Sequence, residues 1–221
     1  MPDTAASIRA GGLDPVRDID TVILSHSHWD HVGTPTDYPS SRFVVSSGTL
    51  SIFETGMNHY PASMFDKDPL PLGQTYELPP VSGSKEAHTA AQQQTQHQWS
   101  AVANFPHAVD YFGDGSIYII DSPGHLRGHI NLLLRGSPDK RIYLGADCCH
   151  DPRILTGEKN IAMYDDGHGG QRSVHSDLPK AMETIDRIQV LLKNHPNVEW
   201  IVAHDLKWAN ANQQRFFPGK L

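Results

Sequence analysis

Short uninterrupted apolar runs and one long helical period dominate the pattern of hydrophobic and polar positions. Thr21-Val22-Ile23-Leu24 and Arg141 to Gly145 lack the polar alternation of a half-exposed strand, which predicts strands buried on both faces. Arg42 to Val45, the alternating Ser116 to Ile120, the apolar Ile130 to Leu134 and Trp200 to Ala203 add further strands. Asp177 to Asn194 is different. Leu178, Met182, Ile185, Ile188 and Leu192 recur at helical spacing with Pro196 just beyond, predicting an amphipathic helix whose apolar stripe faces the core. Gly48 to Thr55, with Leu50, Ile52 and Phe53, fits a shorter helix.

Strands interleaved with helical segments predict an α/β class, and 221 residues suit one domain spanning 1–221. From Gly56 to Pro106 the periodicity fails. Pro61, Pro69, Pro71, Pro79 and Pro80 punctuate it and a Gln-rich polar tract runs from His88 to Gln98, so residues 56–106 read as a long irregular insertion.

The predicted strands run into groups that bind metals. Thr21 to Leu24 leads into His26-Ser27-His28-Trp29-Asp30-His31, where strand alternation would aim residues 26, 28 and 30 the same way and a turn would bring His31 back. One strand mouth cannot enclose a cation, so other strand ends must contribute. His125 follows the Ser122-Pro123-Gly124 turn, Asp147 follows Arg141 to Ala146, and His204 follows Trp200 to Ala203. The candidate ligands are therefore His26, His28, Asp30, His31, His125, Asp147 and His204.

Composition narrows the chemistry. The chain has 14 histidines and only two cysteines, and Cys148 and Cys149 are adjacent, so they read as two buried thiols. A thiolate zinc cluster is excluded, leaving imidazole and carboxylate as donors. The net charge of −7 disfavours a phosphate-gripping surface and hence nucleic acid as a partner. No apolar run approaches the length of a membrane span, and Met1 to Asp20 has no apolar signal core, so the expectation is a cytoplasmic protein without membrane contact.

These residues resemble the metallo-β-lactamase fold hydrolases. The match covers His26-Ser-His28-Trp-Asp30-His31, Ser122-Pro-Gly-His125-Leu-Arg-Gly-His129, Gly145-Ala-Asp147 and Ala203-His204-Asp205, in family order. Trp29 and the paired histidines of the second motif look most like the N-acyl homoserine lactone lactonases and their fungal lactonase-like relatives. The resemblance implies an αββα sandwich with two zinc ions per chain. His26, His28 and His125 would hold one, Asp30, His31 and His204 the other, and Asp147 would bridge them. Two such cations share a hydroxide whose pKa falls towards about 7, which attacks an acyl carbon while one metal polarises the carbonyl oxygen. Asp30 could orient that hydroxide and carry its proton to the leaving oxygen.

The expected activity is therefore a dinuclear zinc hydrolase acting on a lactone or related cyclic ester. A thioesterase or a β- or γ-lactam hydrolase presents the same carbonyl. Retention of Asp30, Asp147 and His204 argues against a mononuclear iron oxygenase. His150, three positions after Asp147, stands where related lactonases place a tyrosine, which suggests a contact to the oxyanion or leaving group. His129 reads as a packed group supporting the ligands and Trp29 as core or as a wall of the site, while His168 and His175, around Gly167, Gly169 and Gly170, read as solvated. The chain departs from the family in one respect. Only 25 residues precede the first motif, where family members carry several dozen, so the first β-layer is expected to be incomplete. The gap leads to two alternative expectations: a homodimer that covers it, or a metal-binding protein left inactive by it.

Overall fold

In the computed structural model the described residues are 3–58, 60–66, 69–81, 93–137 and 139–221. The first sheet is wholly parallel. β1 (Thr21–Ile23) pairs with β2 (Arg42–Val45), β2 with β3 (Thr75–Glu77), and β3 with β4 (Gln93–Gln94). α1 (Thr4–Ala10), α2 (Trp29–Val32) and α3 (Thr49–Thr55) belong to the same half of the chain.

The second sheet begins as an antiparallel meander. β5 (Ser100–Val102), β6 (Phe105–Asp110), β7 (Ile117–Asp121), β8 (Ile130–Ser137) and β9 (Lys140–Leu144) follow one another as neighbours. α4 (Pro152–Leu155), a small hairpin of β10 (Tyr164–Asp165) and β11 (Gln171–Arg172), and α5 (Leu178–Asn194) come next. β12 (Val198–Ile201) then joins β9 in parallel, and α6 (Leu206–Ala211) closes the order.

Strand alternation explains how these elements stack. Phe43 and Val45 of β2 pack with Ala5, Leu24 and Leu50 on the helix side, whereas Val44 between them packs with Val109, Ile119 and Ile130 of the other sheet. In β7, Ile119 faces the first sheet and Ile120 faces Ile185, Ile188 and Leu191 of α5. The layers therefore run helix, sheet, sheet, helix, as the resemblance implies.

The first layer has β1 at its edge, paired on one side only among the described residues. Before β1, Thr4–Ala10 is helical and adds no strand to that layer. Asp3 caps it by accepting from the Ala6 N–H at 2.6 Å, and Ala5 and Ile8 pack onto the sheet face instead of lengthening it.

Two further expectations are corrected. The segment 56–106 contains β3, β4, β5 and the start of β6, strands of two or three residues fixed by pairing and too short to show a period; residues 88–92 of the Gln-rich tract lie outside those described. In α5 the buried stripe is Ala181, Thr184, Ile185, Ile188 and Leu191, and Met182 is 54% exposed. The helix is rotated towards its small residues because it docks on the Pro123-Gly124 turn. Thr184 Oγ1 donates to Pro123 O at 2.8 Å, and a Cβ on Gly124 would fall 2.2 Å from Ala181 N. Cys148 and Cys149 are free buried thiols in the α5-side core. No helix among the described residues is long and apolar enough to cross a membrane.

Candidate metal centre

The site gathers at strand ends, but not through the pleat alone. β1 stops at Ile23 and Trp29 opens α2, so His26 and His28 come from the connecting turn while Asp30 and His31 ride on a single helical turn. The alternation expected of residues 26, 28 and 30 is thus replaced by a turn into a helix. His125 follows β7, Asp147 follows β9 and His204 follows β12. Ala146 (φ 41°) and His204 (φ 61°) hold left-handed backbone conformations that L-residues adopt at a cost, so local strain accompanies the placing of Asp147 and His204.

All seven predicted ligands converge, in two groups on either side of Asp147. His28 Nδ1 lies 3.1 Å from His26 Nε2 and 3.0 Å from His125 Nε2, and Asp147 Oδ2 is 3.7 Å from His26 Nε2 and 3.4 Å from His125 Nε2. The other carboxylate oxygen, Oδ1, lies 3.2 Å from His31 Nε2 and 3.3 Å from His204 Nε2. Asp30 Oδ2 completes that second group, 3.8 Å from His31 Nε2 and 3.6 Å from His204 Nε2. His150 Nε2 stands on the open side, 3.0 Å from Asp147 Oδ2.

Groups behind the donors fix their orientation. Ser25 Oγ is 3.1 Å from His26 Nδ1 and 3.3 Å from His31 Nδ1, touching one member of each group. His129, fully buried as expected, donates from Nδ1 to Ser122 O at 3.0 Å and accepts the Asp147 N–H at Nε2, 3.2 Å away. His175 is corrected from solvated to buried, its Nδ1 lying 3.3 Å from His125 Nδ1. His168 is exposed, as expected.

The electrostatics prepare neutral imidazoles at His26, His28 and His125 beside an ionised carboxylate. Burial pushes His26, His28 and His125 below the usual histidine range, and it lowers His129 and His175 to about 4. Burial works against the charged form of His31 too, but the hydrogen bond and charge of Asp147 outweigh it and raise its pKa. At Asp147 burial opposes ionisation, and the contacts from His150 and His31 overcome it, holding the carboxyl far below its ordinary value.

This donor set fits divalent cations. His28 Nε2 is buried without a hydrogen-bond partner, and three imidazole nitrogens crowd together although two neutral acceptors repel. The spacings match the edges of a tetrahedral cage, roughly 3.3 Å for metal–nitrogen bonds of about 2.0 Å. Imidazole and carboxylate without thiolate suit zinc and its first-row neighbours.

Beside the donors a cleft of about 320 Å³ is lined by Trp29 and by Tyr60, Met64, Phe65 and Val174. Trp29 is 79% exposed, so it is wall and not core. The last four residues were missed in the sequence because their stretches carry no period; the Pro61-flanked aromatics were the only visible signal.

No protein-family model matches the chain. Among curated proteins it is 30% identical over 203 residues to the cytochrome P450 monooxygenase mpaDE of Penicillium roqueforti, covering 85% of this chain and 22% of that one. It is 32% identical over 152 residues to the gamma-lactamase FDB1 of Fusarium pseudograminearum, covering 67% of this chain and 33% of the relative. The chain thus spans 22% to 24% of the length of the first curated relatives it matches. Among solved structures, an N-acyl homoserine lactone hydrolase holding N-hexanoyl-L-homoserine at its catalytic metal centre superposes with a TM-score of 0.60 at 14% identity, over 97% of this chain and 66% of the other.

Proposed function

The chain carries the metallo-β-lactamase fold in its lactonase-like form, and on that premise we propose that it is a dinuclear metal-dependent hydrolase opening a lactone or related cyclic ester. The observation that carries the proposal is the division of labour at Asp147. Its Oδ2 faces His26 and His125, and its Oδ1 faces His31 and His204, which is the placement a bridging carboxylate needs. His26, His28 and His125 would hold one cation and Asp30, His31 and His204 the second, with zinc favoured by the imidazole and carboxylate donors. When bound, such a pair supplies an activated water at neutral pH and a Lewis acid for the acyl oxygen.

The remaining work falls to the protein. Asp30, whose side chain is 31% exposed at the cleft floor, accepts a proton from the attacking water and passes it on. His150, partly exposed beside Asp147, donates a hydrogen bond to the acyl oxygen or the departing ring oxygen. In the net reaction the water oxygen bonds to the acyl carbon and the ring C–O bond breaks. The electron pair and a proton go to the ring oxygen, giving a hydroxy acid. Trp29, Tyr60 and Phe65 displace water from around the ester as it binds.

A γ-lactam hydrolase is the second reading, supported by the similarity to FDB1 over 67% of this chain. Haem monooxygenation of the P450 kind requires an axial thiolate, and both cysteines are buried in the core beneath α5. The proposal takes residues 1–221 as one domain, and the open edge of β1 supports self-association. Elemental analysis of purified protein, paired with turnover of lactones, thioesters and lactams, tests the reading. About two zinc per chain with lactone opening is the expected result. Metal-free protein that stays metal-free on zinc addition would overturn it.

A further inference from the structure

A second cavity, of about 240 Å³, lies between the last turns of α5 and the second sheet, and it shares no residue with the donor cluster. Asp147 follows the C-terminal end of β9, whereas Arg141, which lines this cavity, stands near the beginning of that strand. At about 3.3 Å per residue the six positions between them span roughly 20 Å.

Strand alternation builds the floor of the cavity. Tyr118 pairs with Leu133 and Arg141 with Val198 across the ladders. Tyr118, Leu133 and Val198 pack with the α5-side core, and Arg141, two positions before Tyr143 of that core, points to the same face. Val102 and Leu191 complete the apolar lining. The surround is held by hydrogen bonds. Asn104 Nδ2 donates to Arg187 O at 2.7 Å, tying the turn between β5 and β6 to α5. Asn197 O accepts the Arg141 N–H at 3.2 Å and Asn197 Nδ2 donates to Asp139 O at 3.1 Å, which fixes the starts of β9 and β12 together.

Into this apolar space comes a cationic nitrogen without a partner. Arg141 Nη1 is shielded from water and has no hydrogen-bond partner among the described residues. An arginine ordinarily lays its stem over apolar surface and keeps its head in water, and a shielded donor left unpaired is costly. Neighbouring cations already have acids of their own. Arg135, directly opposite Arg141 on β8, is paired with Asp114 at 3.7 Å, and Lys140 is paired with Glu199. Two guanidinium groups facing each other across an antiparallel ladder repel, so the position favours added negative charge. His195, which ends α5, adds an imidazole to the lining. The carbonyl end of that helix opposes an anion with about half a unit of charge, less than the full charge of Arg141.

We propose that this cavity binds a small monocarboxylate with a short apolar tail. The carboxylate oxygens accept from the Arg141 guanidinium, whose planar fork matches them in pairs, and the tail covers Val102, Leu133, Leu191 and Val198. At about 30 Å³ for each water-sized group, the 240 Å³ holds about eight heavy atoms, the size of hexanoate. Phosphate has no tail and would leave those apolar walls wet.

Calorimetry on the purified full chain with hexanoate, acetate and hexanamide tests the proposal. Hexanoate is expected to bind at least about tenfold tighter than acetate, because its tail is buried, and at least about tenfold tighter than hexanamide, because its charge is paired. Parent protein that holds hexanoate no better than either overturns the assignment. In Arg141→Met the preference over hexanamide should vanish, and in Val102→Phe, which fills the cavity, the preference over acetate should vanish. Hexanoate that binds Arg141→Met as tightly as the parent is held elsewhere, the metal centre included, and that result also overturns it. Should Arg141→Met fail to fold, Arg141→Lys decides: it keeps the charge but loses the fork, and hexanoate should bind it at least about threefold more weakly than the parent, with equal affinity refuting the site.

Discussion

The Nδ1 atoms of His125 and His175 face each other at 3.3 Å in a buried contact, so only one of them can carry the shared proton. If Nε2 of His125 holds a cation, its Nδ1 would donate and His175 accept, which would fix both tautomers.

His175→Phe removes the acceptor and should weaken metal binding by about 10- to 100-fold, measured by competition with a chromogenic chelator. His175→Asn, which offers a carbonyl oxygen, should recover part of that loss. Equal affinities in both variants and in the parent would leave His175 a packing residue only.

Asp147→Ala removes the one carboxylate that both donor groups share. Bound zinc should fall from about two per chain to one or fewer, and ester hydrolysis by at least about 1,000-fold. Chelation of the parent protein should reproduce the activity loss, and zinc should restore it. Turnover that survives Asp147→Ala would show the bridge to be misassigned.

Glu199 ties β12 to the C-terminal segment through Arg215, with a second contact to Lys140. The Arg215 hydrogen bonds hold its carboxyl down at about 2 from a reference of 4.5. A depressed folded pKa contributes stability in full above about 4.5, and that stability drains away as pH falls towards about 2. Glu199→Gln should therefore lower unfolding stability by about 1–3 kcal/mol at pH 7, with the gap to the parent closing across that acid window. A pH-independent gap in urea titrations would refute the linkage.

Gly124 sits at φ 127° with α5 pressed against it. Gly124→Ala should destabilise the fold by about 2–4 kcal/mol, because the backbone is strained and the new methyl collides with Ala181. The residue also precedes His125, so metal affinity should fall with Tm. A variant as stable as the parent would mean α5 can back away without consequence.

Legibility in the sequence followed the range of each signal. His26, His28, Asp30 and His31 stand within six consecutive positions, so their convergence needed only a turn, even though that turn is a helix and not the pleat first expected. His125, Asp147 and His204 were legible because a buried strand announces its own end. His175 was misread because its neighbours include glycines typical of exposed loops, and nothing within a few residues signals that the Gly124-His125 turn will pair with Ser176 and Asp177 and bury it. The phase of α5 was misread at Met182 for a related reason. The apolar period fits more than one rotation, and the contact of Ala181 and Thr184 with the Pro123-Gly124 turn selects one.

The sequence by itself determined which residues could bind metal and which strands would carry them, because donor chemistry and burial patterns are local properties. Only the tertiary structure decided that the two oxygens of Asp147 face different donor groups, that Ser25 touches both, and that Tyr60, Met64 and Phe65 line the cleft beside them. Those relationships join positions more than a hundred residues apart, as His26 and Asp147 are. They arise from how two sheets and a helix pack, a balance of many weak contacts that no short stretch of chain encodes.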